Sequence, residues 1–346
     1  MRILHCILAL NTGGSETMLV DLINEQVKRH EVFLIVVNDS YESYLVEQLD
    51  KRVHLRFLKR KPGSRNPWFL LKLNGWVLRL QADAIHVHNS SLLKMVVCRT
   101  GKGLFFTVHS LDAPLAYAER ATCLFAISEA VAVDVRNRCK QPVVVVPNGI
   151  VVDKIQSRAT RMKGAGDLFR MVAVGRLDAA IKGQDILIRA IGKLRDRGVQ
   201  RVTVDLIGEG QSREELEKLV ADLRLTDRVH FLGLCDRQYI YAHLQDYDLF
   251  CHPSRSEGFG LTVAEAMVAK LPVLVASDGG PAELVKQGEL GSIFQNGSAD
   301  DCADKLVWMM EHYQEATAKV DAAYDYVKAM YSLERMAQQY VENYHA

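Results

Sequence analysis

The chain has 346 residues, 49% of them apolar and 25% charged, with a formal net charge of +1. These values exclude a disordered or fibrous chain, and the length exceeds one ordinary core and suits two domains. Residues 1–150 hold 19 Lys/Arg against 13 Asp/Glu while the remainder holds 24 against 29, so the first half is the one suited to an anionic partner.

The opening run MRILHCILAL reads as a strand from the start, with no basic-then-apolar leader before it. NTGGSE follows, and its Gly13 and Gly14 lead into a helix expected over residues 16–29. Such a glycine loop permits close backbone approach to a phosphate. It lacks both the G-x-G-x-x-G of dinucleotide binders and the Gly-Lys-Ser/Thr of a P-loop, so a plain tight turn explains it equally well. EVFLIVV, VHLRFL, AIHVHN, LFFTVHS, CLFAIS and PVVVVP read as further strands. Most are continuously apolar, as parallel strands covered on both faces are.

Within this half, residues 51–65 carry seven Lys/Arg and no acid. NPWFLLKLNGWVLRL then predicts a helix over residues 67–81, with Asn66 as N-cap, Pro67 in the first turn, and Phe69, Leu73, Trp76 and Leu80 on one stripe. Two readings stand side by side: a core helix beside a solvated basic loop, or a membrane-surface patch with inserted aromatics. Nucleic acid fits less well, because the basic run has no interleaved aromatics. His86 and His88 flank Val87 and so point to one face, with Asn89 on the other. No third ligand follows at metal-like spacing. His109 stands at the carboxyl edge of a buried strand, where a ligand-contacting residue belongs.

Residues 157–168 are polar and without periodicity and read as a linker. The expected division is therefore 1–157 and 168–330, with a last helix, residues 333–344, returning to the first domain. After the linker the alternation restarts. FRMVAVG, RVTVDLIG, VHFLG, YDLFCHP and LPVLVAS are strands, and DILIRAIGKLRDRG is an amphipathic helix with Ile186, Leu187, Ala190, Ile191 and Leu194 on one stripe. Two successive blocks of this kind imply an α/β protein of two Rossmann-like, doubly wound domains facing a central cleft.

In open α/β sheets ligands bind beyond the carboxyl ends of the strands, so the segments after each strand matter most. GRLDAAIKG brings Arg176 and Lys182 to a helix N-terminus, an arrangement suited to a diphosphate; a solvated turn with surface charges is the bland alternative. IGEGQSR has Gly208 and Gly210 but Arg213 at the third glycine position, so a dinucleotide fingerprint is disfavoured. Asp246 and Asp248 spell D-x-D, a metal-binding pattern in some sugar transferases, but lie at the amino end of their strand, the wrong edge for a ligand. ASDGGPAELV offers another glycine turn, with Pro281 expected at the first helical position.

EGFGLTVAE poses a sharper question. Thr262-x-x-Glu265 fits a capping box, with Thr262 as N-cap, and that explains Glu265 without a ligand. It does not explain Glu257, nor the glycines 258 and 260 that clear side chains from it. If Arg176 and Lys182 hold phosphates, carboxylates in the same crevice should instead accept hydrogen bonds from hydroxyls. A nucleotide sugar supplies both kinds of group.

Seven scattered cysteines with no C-x-x-C fit reduced thiols in a cytosolic protein. No apolar stretch reaches the roughly 18 residues of a membrane span. A cytoplasmic protein is expected, with a peripheral contact at the inner face of an anionic membrane if the basic segment is used.

NTGGSE, FFTVHS, AISEAV, VPNGI, VGRLDAAIKGQDILIRA, LIGEGQSREELE, VHFLG, PSRSEGFGLTVAEAM and ASDGGPAELV, in this order over most of the chain, resemble a family 4 retaining glycosyltransferase of GT-B fold. The resemblance implies a metal-independent, cofactor-free hexosyl transfer from a nucleotide sugar, UDP-linked by family prior with GDP and ADP open, to a glycan or lipid-linked acceptor in surface polysaccharide or glycolipid synthesis. It implies that Arg176 and Lys182 hold the donor diphosphate, that Glu257 binds hydroxyls of the donor sugar, and that Glu265 binds the ribose. Phe259, Gly260 and Leu261 would offer backbone N–H groups, Gly14 would let its loop approach the diphosphate, His109 would contact the donor sugar near its reactive face, and Leu232 and Leu234 would lie by the base. Thr262 departs from a proline common in the family, and LDAAIKG varies a loop that is often more polar. The competing functions are another GT-B activity, such as a nucleotide-sugar epimerase, and a non-catalytic nucleotide-sugar-binding protein.

Overall fold

The computed structural model describes residues 1–98, 103–159 and 167–345. Contacts divide the chain into two compact units, Met1–Gly149 with Tyr331–Ala346, and Ile150–Met330.

The first unit holds a seven-stranded parallel sheet. Its strands are β1 (Arg2–Ile7), β2 (Glu31–Asn38), β3 (His54–Arg60), β4 (Ala84–Val87), β5 (Leu104–Val108), β6 (Cys123–Ala126) and β7 (Val143–Val145), in spatial order β3-β2-β1-β4-β5-β6-β7. All seven segments predicted as strands form one. β1, β4 and β5 are buried along nearly their whole length, which is why they read as apolar runs without alternation. Strand order reverses between β1 and β4, so the crevice of this sheet opens at their carboxyl ends. The helix Leu333–Tyr344 packs on the helix Gly14–Gln26. Tyr340 and Tyr344 are buried, the phenol of Tyr344 lying 2.7 Å from His86 Nδ1.

The second unit holds β8 (Phe169–Val174), β9 (Val202–Ile207), β10 (Val229–Gly233), β11 (Leu249–His252), β12 (Val273–Ala276) and β13 (Ser292–Phe294), in order β10-β9-β8-β11-β12-β13. The edge strand β13 was not among the predicted elements. Ile186, Leu187, Ala190, Ile191 and Leu194 are all buried in this unit's core, as the stripe predicts. The reversal here lies between β8 and β11, the two strands that lead into GRLDAAIKG and PSRSEGFG.

The second unit begins at Ile150, ahead of the predicted boundary at residue 157, and residues 160–166 of the predicted linker lie outside the described ones. The reason is specific. Gln156 N–H donates to Tyr241 O at 3.1 Å, Arg158 N–H to Ala269 O at 3.0 Å, and the Arg158 guanidinium pairs with buried Asp248 at 3.1 Å. Asp248 also accepts from Arg170 N–H at 2.8 Å, so the D-x-D carboxylate at the amino end of β11 is held by structural partners. Breaking one side of so buried a pair leaves a charge uncompensated. Arg158→Ala is expected to destabilise the second unit by about 3–5 kcal/mol, measured as a shift of its urea midpoint. A loss below about 1 kcal/mol, the range of exposed pairs, would contradict this placement.

Candidate active site

At the switch point of the second sheet, β8 ends at Val174 and the chain runs on into Gly175 and Arg176. Arg176 is 64% exposed in its side chain, its guanidinium 3.4 Å from Asp178. A short helical turn, Ala179–Lys182, follows, and Gly183 reverses the chain at φ +64 into the helix Gln184–Asp196. A Cβ at Gly183 would lie 2.0 Å from Pro253 O, so glycine is required both for the turn and for contact with the segment after β11. Buried Gln184 holds the loop from inside, its Nε2 donating to Arg176 O at 2.8 Å. Arg255 clamps it from outside, with a bidentate pair to Asp185 at 2.7 and 2.8 Å.

The glycines of IGEGQSR take part in this support. A Cβ at Gly208 would meet Gly175 O at 2.1 Å, and one at Gly210 would meet Leu177 O at 2.3 Å. Leu177 N–H donates to Glu209 O, and Ser212 Oγ accepts from Ala179 N–H at 3.1 Å. These glycines seat the Arg176 loop. Leu232 and Leu234, 40% and 68% exposed, stand at the carboxyl end of neighbouring β10.

β11 ends at buried His252, and the chain continues through Pro253 and Ser254 to Glu257. The Glu257 carboxylate hydrogen-bonds the Lys182 ammonium, and His252 Nε2 lies 3.5 Å from it. Burial alone would raise the Glu257 carboxyl, but the adjacent His252 imidazole and the charge of Lys182 outweigh it and hold it at about 2. Such a group is ionised at neutral pH. It is a poor general acid or base and a good acceptor of hydroxyl hydrogen bonds. Lys182 and Glu257, 75 residues apart, therefore form one preorganised pair of opposite charges. His252 was missed among the candidates, although it meets the same strand-end criterion that singled out His109.

The capping box does not form. The helix runs Leu261–Val268 with Gly260 before it at φ +94, and Thr262 Oγ1 lies 3.4 Å from Val174 O instead of capping. The chain enters this helix through a left-handed glycine, so the Thr262 side chain falls inside the first turn rather than before it. Glu265 is consequently not a capping residue. It is buried and accepts a hydrogen bond from Tyr241 OH at 3.0 Å, with Arg237 Nε 3.9 Å away. Phe259 is buried, and Gly260 and Leu261 lead the chain into the helix. The following glycine pair is used for packing. Gly280 N–H donates to Glu257 O at 3.0 Å, and a Cβ on Gly279 or Gly280 would strike the Glu257–Phe259 backbone within 2.5 Å. Pro281 is the second residue of that helix, Gly280–Leu284, rather than the first.

In the first unit, Gly14 is exposed at the first position of the helix Gly14–Gln26, which starts two residues earlier than expected. His109 follows β5, its Nε2 3.2 Å from His88 Nδ1; burial lowers it to about 4, so it is neutral. His86 and His88 share a face, as predicted, with ring centroids 4.4 Å apart. A third histidine, His5, joins them from neighbouring β1, in register with His86. This triplet has the proximity of a metal site. Both nitrogens of His86 are nevertheless engaged, Nδ1 with Tyr344 OH at 2.7 Å and Nε2 with Thr107 Oγ1 at 2.6 Å, which leaves it no lone pair for a metal.

Comparison with known proteins converges on one family. The description "Glycosyl transferases group 1" matches residues 139–326, more than half of the chain, and "Glycosyltransferase Family 4" matches residues 12–154. The chain belongs to the glycosyl transferases group 1 family. Among the relatives of this group 1 glycosyltransferase is the D-inositol 3-phosphate glycosyltransferase of Corynebacterium aurimucosum, 32% identical over 182 residues, 51% of this chain and 43% of that one. The phosphatidyl-myo-inositol mannosyltransferase of Mycobacterium leprae is 26% identical over 279 residues, 74% of this chain and 73% of that one. The chain spans about half the length of the first curated relatives it matches, 43% and 53%. Among solved structures, Anabaena Alr3699/HepE, in complex with UDP and glucose, superposes with a TM-score of 0.82 at 22% identity, covering 100% of both chains. The sucrose-phosphate synthase of Thermosynechococcus elongatus gives 0.83 at 17% identity, covering 100% of this chain and 98% of that one. The chain thus has the α/β GT-B fold.

Proposed function

We propose that this protein is a retaining glycosyltransferase that moves a sugar from a nucleotide-sugar donor to a glycan or lipid-linked acceptor, in surface polysaccharide or glycolipid synthesis. The observation that carries the proposal is the Lys182–Glu257 pair at the switch point of the second sheet, on the loop that also carries Arg176. Phosphates need the cations, and sugar hydroxyls need an ionised carboxylate that stays ionised. Arg176 and Lys182 hold the diphosphate, Glu257 accepts from hydroxyls of the donor sugar, and Glu265 accepts from the ribose. Phe259, Gly260 and Leu261 bring backbone N–H groups to the same ligand, and exposed Leu232 and Leu234 flank the base. Gly14 and His109 are the first unit's candidates for contact with a donor.

In the chemical step the acceptor hydroxyl attacks the anomeric carbon on the face the diphosphate leaves. The bond from that carbon to the phosphate oxygen breaks, and the departing oxygen takes the hydroxyl proton. Arg176 and Lys182 stabilise the charge growing on the diphosphate, so these residues perform the step without a metal. Relatives act on both kinds of acceptor by name, among them a phosphatidylinositol mannoside mannosyltransferase and a poly(ribitol-phosphate) N-acetylglucosaminyltransferase. A thermal-shift panel of UDP, GDP, ADP and their sugars tests the proposal. A ligand at about 100 times its dissociation constant adds about 2.7 kcal/mol of stability, and one nucleotide class should give this shift. No shift with any of them would overturn the assignment.

The acceptor side is proposed to lie against the inner, cytoplasmic face of an anionic membrane. Among the described residues no helix is long and apolar enough to cross one. The helix Trp68–Leu80 turns Leu73 and Val77 inward and half-buries Phe69, Trp76 and Leu80, so the stripe expected to insert is in fact the packed side. Trp68 and Leu71, 64% and 66% exposed, instead share the outer face with Leu78, Lys72 and Arg79. This helix packs beside edge strand β3, which carries exposed Arg56 and Lys59. Flotation with phosphatidylglycerol vesicles should recover the protein at low salt and release it at high salt, with Trp68→Ser/Leu71→Ser weakening recovery. Equal flotation with neutral vesicles, or none at all, would contradict this surface.

A further inference from the structure

The first unit contains a continuous line of hydrogen-bonding side chains that ends at His109. Gln26 Oε1 lies 2.7 Å from His5 Nε2, His5 Nδ1 lies 3.1 Å from His88 Nε2, and His88 Nδ1 lies 3.2 Å from His109 Nε2. His109 Nδ1, at the far end, is buried without a hydrogen-bond partner. The four residues come from the end of the helix Gly14–Gln26, from β1, and from the positions just after β4 and β5.

A neutral imidazole has one N–H and one lone pair, so in a chain of rings the direction of a single hydrogen bond fixes all the others. Burial keeps His5, His88 and His109 neutral at neutral pH. A carbonyl oxygen only accepts, so facing Gln26 Oε1 His5 must carry its proton on Nε2. Its Nδ1 then accepts from His88 Nε2–H, and His88 Nδ1 accepts from His109 Nε2–H. In this order Gln26 Nε2 is the buried donor left without a hydrogen-bond partner, whereas the opposite order, with the amide turned over, would end in a buried His109 Nδ1–H with no acceptor. His86 stands outside the line, held by Tyr344 and Thr107.

We propose that Gln26 is a positioning residue which, through His5 and His88, fixes His109 in its Nε2–H form, so that Nδ1 presents a lone pair to a ligand hydroxyl. The tautomer order concerns the ligand-free protein. Only the final clause rests on the proposed transferase function. A sugar hydroxyl donating to Nδ1 completes the unfilled position at the His109 end of the line, whereas a ligand carbonyl or phosphate oxygen there meets a second lone pair and is disfavoured.

Nitrogen-15 NMR of histidine-labelled protein at pH 7.5 tests this. The wild-type protein should show His5, His88 and His109 each protonated at Nε2 and bare at Nδ1, with assignments from single substitutions. Gln26→Met, which keeps the length and removes the acceptor, should leave His109 as a mixture of both tautomers. A His109 protonated at Nδ1 in the wild type overturns the proposal, and so does an unchanged His109 pattern in a folded Gln26→Met protein. If that variant does not fold, the wild-type spectrum alone decides. Titration with UDP-glucose and GDP-mannose reads the last clause separately. A shift confined to His109 Nδ1 supports the hydroxyl contact. A silent Nδ1 during saturable nucleotide-sugar binding removes that contact and leaves the tautomer order standing.

Discussion

Lys182→Ala is expected to slow release of nucleoside diphosphate from the donor by about 10²–10³-fold, the loss typical of removing one donor to a developing oxyanion. Two effects add in this variant. The leaving diphosphate loses a cation, and the Glu257 carboxylate, 20% exposed in its side chain, loses one of the two neighbours, His252 and Lys182, that hold it ionised. Its carboxyl then rises from about 2, because burial no longer has an equal opponent. The variant should therefore lose part of its residual activity on acidification at a pH where the wild type does not, and Lys182→Arg should retain that tolerance. Steady-state rates with the donor selected by thermal shift, at pH 5.5 and pH 7.5, measure both predictions. Turnover within about threefold of wild type at both pH values would sink the role given to Lys182.

The second large effect is acid unfolding of the first unit. His5 and His109 are lowered to about 4 and His86 and His88 well below their ordinary value, mainly by burial. Each is neutral when folded and takes a proton near pH 6.5 when unfolded. Between those values the unfolded chain binds more protons, so stability is fully present above pH 6.5 and is lost as pH falls toward 4. Each histidine contributes about 1.4 kcal/mol per pH unit in that window. From pH 6.5 to 5 His5 and His109 together cost on the order of 3 kcal/mol, and His86 and His88 add to the loss in the same direction. Glu257 acts in a separate window, since its depressed carboxyl contributes stability above 4.5 that is lost only toward 2. Urea unfolding between pH 7.5 and 5, followed at Trp68 and Trp76, should show a midpoint falling steeply with pH. A midpoint constant over this range would mean that the histidines are not buried as described.

The pattern of residues revealed what repeats along the chain and missed what depends on its three-dimensional closure. Buried parallel strands announce themselves as apolar runs, and twelve of the thirteen strands among the described residues lie in segments read as strands, most of them such runs. Strand ends in an α/β sheet are the one place where linear order predicts a ligand edge, and that rule singled out Lys182 and Glu257, which pair with each other across 75 residues. Thr262 misled because a capping box is a local pattern, whereas the left-handed Gly260 that overrides it is imposed by packing on Pro281 and Leu284. The helix Trp68–Leu80 misled differently. It is apolar nearly all round, so several stripes fit it, and only packing beside β3 selects the inward one. The line Gln26–His5–His88–His109 joins residues up to 83 positions apart, and no spacing rule reaches that far.

The central claim is that the carboxyl edge of the second sheet holds a nucleotide sugar with cations on its phosphates and acids on its hydroxyls. A crystal structure with the donor selected by thermal shift tests it most directly. It should show phosphate oxygens within hydrogen-bond distance of Arg176 and Lys182, a donor-sugar hydroxyl on Glu257, and ribose hydroxyls on Glu265. A donor bound elsewhere, or bound here with its diphosphate away from both cations, would contradict the account.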